Sequence, residues 1–223
     1  MIHLDAAFSQ QFTPAELPAA VRAALGKPLR RAAVLTQLAL LGAFAALPAE
    51  RRSLPTALLW QSTSGPRLET LTLLAEIGGG GGEPMPYDFL ATQPALAAAQ
   101  IQPFLPGLQA ASHVPLDNAK DANWGLLLSL AMAWLNEGRY SQVLCAQLDH
   151  RSDLGSGHWL LLSRAPGTAS LARLAMAASE PSGLPDIPEL PARIAHWLAS
   201  PGPSRRQLES PAGRGQTVEF ARL

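Results

Sequence analysis

Residues 115–138 read PLDNAKDANWGLLLSLAMAWLNEG, and their reading decides the fold. The stretch follows LQAASHVPL (108–116), a short apolar run that reads as a strand. It continues into a helix from about Asn123 to Glu137 that stops at Gly138, a residue suited to a helix C-terminus. From Trp124 to Leu135 the only polar side chain is Ser129. A surface helix keeps a charged face, whereas one that is apolar all round is buried on all sides. Each Leu or Met left bare would forgo about 1.5–3 kcal/mol of burial energy. The helix therefore belongs at the centre of the fold or against another protein. A sharp strand-to-helix turn is also where several enzyme folds hold a nucleophile. Here the turn holds Asp117, Asn118, Lys120, Asp121 and Asn123, with no Ser, Cys or Thr.

Outward from this element the chain alternates helices and strands. In the N-terminal direction, residues 1–15 read as a short lead-in. TPAELPAAVRAALG (13–26) carries Thr13 as N-cap, Pro14 at the first helical position and Glu16 three residues after the cap, a capping box. A helix over 30–47, a buried strand over 54–63 and a helix over 65–77 follow. The glycine run at 78–82 lacks the spaced glycines and the lysine of a phosphate loop and reads as a flexible connector. A long alanine-rich helix is expected over 88–107. Beyond the apolar helix, strands are expected over 140–148 and 158–164, with a loop over 151–157. Residues 170–179 fit a strand or a helix, 189–200 a short helix, 200–215 a linker and 216–223 an edge strand. The order predicts a layered α/β domain.

Composition excludes several function classes. Hydrophobic residues make up 48% and charged residues 15% of 223, against about 25% charged in an ordinary soluble domain. With little polar material to cover it, part of the surface is expected to meet a partner. Seventeen basic and seventeen acidic residues cancel, so there is no electrostatic footprint for nucleic acid or anionic lipid. His3, His113, His150, His158 and His196 are scattered, and no metal or cofactor motif is present. The single cysteine, Cys145, lies in the apolar run VLCAQL and reads as a buried, inert thiol in a reducing compartment. The arginine-flanked segment 30–52 has about 18 apolar residues, the short limit for a membrane span. Its Thr36, Gln37, Gly42 and many alanines favour a buried soluble helix, and it starts too deep for an ordinary signal peptide.

The ordered set of segments resembles the N-terminal half of β-ketoacyl synthases, in the thiolase superfamily. DNAKDANWG, LLLSLAMAWL, NEGRY, SQVLCAQLDH and GSGHWLLLSR stand where the family has its nucleophile elbow, buried helix, turn, strand and aliphatic strand. Upstream, PLRRAAVLTQLALLGAFAAL, TALLWQSTSGPRLETLTLL and PYDFLATQPALAAAQI resemble the helices and strand that precede the elbow. The resemblance covers about residues 28–165. It implies a thiolase-like layered α/β(α) half-fold with a mixed sheet and a buried apolar helix. Residues 1–165 would form the ketosynthase-like domain, and 166–223 a divergent tail completing or covering it.

The departures shape the expected function. Counted back from Gly138, the nucleophile position falls near Asp121, and no cysteine lies in the turn. The family's catalytic histidines come from a C-terminal half that this chain lacks or replaces with a short tail. The pattern resembles the chain-length-factor-like partner subunits, whose short versions occur in aryl polyene or xanthomonadin-type pigment clusters. The resemblance thus implies a non-catalytic, cytoplasmic subunit that pairs with an active ketosynthase and, through it, serves acyl carrier protein. No cofactor is implied. LQAASHVPL would lie at the dimer edge, and Phe89, Gln93, His113, Asp121 and Trp124 are the acyl-tunnel or interface candidates. The helix that normally packs on the buried helix is missing here, so the tail, a second copy or a partner must cover it. Two other readings stand beside this one. One is a hydrolase using the serines of STSG (62–65) with Asp117, Asp121, His150 or Asp153. The other is a homodimeric structural protein of the same fold.

Overall fold

The computed structural model describes residues 1–29, 32–79, 83, 85–116, 120–151, 153–168, 170–178, 183–208 and 215–223. Asp117, Asn118, glycines 80–82 and most of the segment 209–215 lie outside them. The helices are α1 (Glu16–Leu25), α2 (Val34–Ala46), α3 (Arg67–Gly78), α4 (Pro86–Ala91), α5 (Pro94–Ala99), α6 (Trp124–Asn136) and α7 (Leu190–Ala199). The strands are β1 (Ile2–Phe12), β2 (Thr56–Gln61), β3 (Leu108–His113), β4 (Gln142–Arg151), β5 (Leu154–Ser163), β6 (Ala172–Ala178), β7 (Arg205–Gln207) and β8 (Gln216–Arg222). They form one mixed sheet in the order β3-β2-β4-β5-β1-β6-β8-β7. β3, β2 and β4 run parallel, and the other pairings are antiparallel.

The sheet divides the interior into two cores. On one face α6 and α7 pack through Trp124, Leu127, Leu128, Ala131, Leu135, Ile194 and Trp197 onto Leu59, Cys145 and Leu160. On the other, α1 and α2 pack onto Leu58, Trp60, Leu144, Trp159 and Leu161. With apolar layers on both sides, every residue of β2 is buried, and its sequence TALLWQ has no polar alternation until its end. Gly42 lets α2 approach closely, because a Cβ there would collide with the buried ring of Trp159. Among the described residues no helix is long and apolar enough to cross a membrane. α2 is a buried helix of 13 residues.

Several expectations are corrected. Residues 1–15 are no lead-in: β1 lies between β5 and β6 in the middle of the sheet. A register shift between Leu4 and Ala6 breaks its alternation, and Asp5, Ser9, Gln10 and Gln11 dilute its apolar content. The expected loop 151–157 is largely a tight hairpin, with β4 running to Arg151 and β5 starting at Leu154. Its glycines, Gly155 and Gly157, are strand residues, and Gly157 is kept small by a neighbour. A Cβ on Gly157 would sit 2.7 Å from the Trp159 ring nitrogen. The expected helix 88–107 is broken into α4, α5 and a 3-10 turn at Gln102–Phe104. Pro94 starts α5 because its missing N–H is harmless only in a first helical turn. The expected linker contains β7, and β8 is interior, with β7 as the edge. The capping box forms: Thr13 N–H and Oγ1–H both donate to Glu16 Oε2 at 2.9 Å.

The tail supplies the cover that α6 needs. Leu190, Ile194, Trp197, Leu208, Val218 and Phe220 share its core. Cover is not complete, however. Leu126, Leu130 and Trp134, one stripe at four-residue spacing, are only half-buried, and Ala133 is exposed. α6 is thus buried along the face that meets the sheet and the tail, and this flank is left with partial cover.

Candidate functional site

The site lies where the α6 face of the sheet turns from apolar to polar. Leu59, Cys145, Leu160 and Ala7 are direct cross-strand neighbours across β2, β4, β5 and β1. Two residues further along each strand, on the same face, stand Gln61, Gln147, His158 and Ser9, again in register. Beyond them come Asp149, Ser156 and Gln11. Gln61 and Gln147 are fully buried, and Asp149 and His158 are 6% and 5% exposed. Buried polar groups must be hydrogen-bonded or their desolvation is uncompensated, and most of these form one network. Gln61 Nε2 donates to Gln147 Oε1 at 3.0 Å. Gln147 Nε2 donates to the Asp121 carbonyl at 2.9 Å and to Asp149 Oδ2 at 3.0 Å. Asp149 Oδ1 accepts from the Ser62 and Thr63 hydroxyls and from the Thr63 and Ser64 amides, at 2.7–3.1 Å. Burial opposes the charge on Asp149, but the bonds from Ser64, Gln147 and Thr63 outweigh it and hold its pKa below the ordinary value.

This network fixes the elbow. The Asn123 amide donates to Gln61 Oε1 at 3.0 Å, and the Asn123 side chain accepts from Leu126 N–H at 3.3 Å. The next two amides, Trp124 and Gly125, donate to the Asp186 carboxylate from the tail, at 2.8 and 3.3 Å. The first amides of a helix are free donors that an enzyme can aim at a developing oxyanion. Here those of residues 124, 125 and 126 are taken by side chains of the same chain. The elbow thus lacks the nucleophile, and its helix N-terminus is already occupied.

The five candidates from the sequence do not converge. Trp124 is fully buried, with its ring N–H bonded to the Ile187 carbonyl at 2.9 Å. Asp121 is exposed at the rim of a cleft of about 420 Å³, which Gln11, Thr63, Arg151, Ser156 and Glu189 also line. His113 ends β3 with its ring 4.5 Å from that of Trp60, in the opposite core layer. Its Nε2 is buried without a partner, and burial lowers its pKa. Phe89, 57% exposed, and Gln93, also exposed, lie on and just after α4, away from the elbow. The hydroxyls of STSG are bound to Asp149 and within their own loop. His150 faces Glu69 at 3.5 Å. Cys145 is fully buried, and burial pushes its thiol far above the ordinary value. Among the described residues no three His, Cys, Asp or Glu side chains are grouped to hold a metal ion.

Ser9, Gln61, Gln147, Asp149 and Asp186 were not among the candidates. Gln61 and Gln147 carried a usable signal: each is a polar residue that follows an apolar run, ALLW and VLCA, in a buried strand. Asp186 carried none, because its role depends on how the tail docks.

No family model matches the sequence, and no curated protein matches it. Solved structures do match. One contains the ketosynthase ApeO in complex with its chain length factor ApeC from Xenorhabdus doucetiae, at 15% identity and a TM-score of 0.56, covering 99% of both chains. A second is the AntDE:AntF assembly, a type II PKS acyl-carrier protein in complex with its ketosynthase bound to the hexaketide. It matches at 9% identity and a TM-score of 0.62, covering 100% of this chain and 99% of the other. A third is the ishigamide ketosynthase/chain length factor, at 17% identity and a TM-score of 0.51, covering 79% and 68%. At these identities the likeness is one of fold. The architecture is the ketosynthase-type, thiolase-like α/β fold, as the resemblance in the sequence implied.

Proposed function

We propose that this chain is a non-catalytic ketosynthase-like subunit, chain-length-factor-like, that pairs with an active β-ketoacyl synthase in polyketide or fatty-acid-type biosynthesis of the aryl polyene kind. The observation that carries this reading is the closed elbow. The turn offers no nucleophile, and Asn123 and Asp186 consume the helix amides that would serve one. A chain that keeps the fold with the reaction centre filled is suited to shaping a neighbour's site, and the similar structures include ketosynthase–chain length factor pairs. Acyl carrier protein would be met through the partner, in the cytoplasm.

The free edge of β3 supports the pairing. Among the described residues β3 is bonded within the sheet only to β2. Val114 N–H donates to the Trp60 carbonyl at 2.8 Å, so by strand alternation Ala111 and His113, on the regular side of the register shift at Thr56/Ala57, aim their amides away from β2. Such an edge is a template for a further strand. On α4 and just before it, beside the α5 that packs on β3, Met85, Phe89 and Leu90 are 43–57% exposed, an apolar surface suited to a partner. Co-expression with any ketosynthase encoded in its gene neighbourhood tests the reading. The expected result is a stable one-to-one complex by size exclusion and light scattering. Ala111→Pro removes one outward amide and spares the β2 ladder, so it should weaken the complex at least tenfold while leaving the circular dichroism spectrum intact. A chain that stays monomeric, or forms only homodimers, with every neighbouring ketosynthase would sink the proposal.

A further inference from the structure

The polar cleft holds one arrangement that the pairing role does not use. Ser9 and His158 are cross-strand partners on β1 and β5. Ser9 Oγ lies 2.8 Å from His158 Nδ1. Ser9 is exposed, whereas His158 is 5% exposed and lines the cleft. Every other serine or threonine hydroxyl on the cleft's β2 side is bound to Asp149 or its own loop. The carboxylates of Glu189 and Asp149 are near enough for their charge to favour the protonated ring.

We propose that, apart from the condensation chemistry that the elbow lacks, Ser9 and His158 form a nucleophile–base pair, at the edge of the cleft that His158 lines, that takes the acyl group of a neutral ester or thioester held there. Ser9 Oγ bonds to the carbonyl carbon as its proton passes to His158 Nδ1, and the C=O electron pair moves onto oxygen. Return of that pair breaks the bond to the alcohol or thiol, which leaves with the proton from His158. Water then attacks the acyl-Ser9 ester and gives a proton to Nδ1. Ser9 departs with that proton, releasing a carboxylic acid, so atoms and charge balance without a co-reactant. During both steps Glu189 and Asp149 stabilise the imidazolium, the part a carboxylate plays beside a catalytic histidine. Three carboxylates, Asp121, Asp149 and Glu189, line the cleft with one cation, Arg151, which disfavours anionic esters and selects neutral ones.

Burial lowers the His158 pKa more than Glu189 and Asp149 raise it, so the ring is neutral, and able to accept a proton, at neutral pH. The rate should rise with pH and reach its plateau with a midpoint below the ordinary histidine value of 6.5.

The full-length chain is treated with a neutral fluorophosphonate, the adduct is mapped by peptide mass spectrometry, and p-nitrophenyl acetate turnover is followed. The expected adduct is on Ser9. It should vanish in Ser9→Ala and persist in the exposed control Ser53→Ala. In His158→Gln it should form at least about 100-fold more slowly, the scale of a lost general base. If His158→Gln does not fold, the adduct map and pH profile of the unaltered chain decide. Three outcomes overturn the proposal: no adduct, an adduct on another serine, or a labelling rate insensitive to His158 and to pH. The pairing reading stands or falls separately, on complex formation.

Discussion

At the residue scale, the informative positions are polar side chains placed where apolar ones are expected. Asp149 ties the loop after β2 to β4 through four bonds to one oxygen. Asp149→Asn turns one acceptor into a donor among donors and should cost about 1–3 kcal/mol, read from urea unfolding at pH 7. Because the folded pKa of Asp149 lies below its ordinary 3.8, its contribution is complete above that value. It is lost as pH falls through the folded pKa, so the difference between the two proteins should shrink on acidification below about pH 4. Cys145 makes the opposite prediction for chemistry. Its buried, high-pKa thiol should ignore iodoacetamide at pH 8 in the native protein and react fully in denaturant. That inertness was legible in the sequence from the apolar run around Cys145. The role of Asp149 was not, because the donors to its Oδ1 come from residues 62–64, more than eighty positions away.

At the element scale, helix α6 was legible in type and extent, and its surroundings were not. Its end is set locally by Gly138 at φ 73°, a conformation that favours glycine. Its start is set by Asn123, whose side chain caps Leu126. Asn123→Ala should remove about 0.5–2 kcal/mol, measured as a lower urea midpoint with an unchanged slope. β1 is the instructive miss. A strand near a terminus that mixes apolar residues with Ser9, Gln10 and Gln11 has a weak period, and a bulge at Leu4/Ala6 weakens it further. Of these polar residues, Gln11 lines the cleft and Ser9 meets His158 beside it. The signal that obscured the element was the signal of the site.

At the scale of the whole molecule, the tail is structural. β6 pairs with β1, β8 extends the sheet, and Trp197 and Phe220 enter the α6 core. Arg222 donates to the Trp197 and Ser200 carbonyls and lies over the Trp197 ring, tying β8 to α7. A fragment of residues 1–165 would expose Ile2, Leu4, Leu128 and Met132 to water. It should be insoluble, or bind a hydrophobic dye and unfold without cooperativity, while the full chain gives a single sigmoidal transition. By itself the sequence determined what depends on neighbours within a few turns: the buried helices α2 and α6, the Thr13–Glu16 capping box, the apolar strands β2, β4 and β5, and the absence of a nucleophile in the turn. Only the tertiary structure decided which strand is central, what covers α6, and that Asp186 fills the elbow amides while Ser9 meets His158. Those contacts join residues some sixty to 150 positions apart, and no local period or propensity records which distant side chain will satisfy a buried polar group.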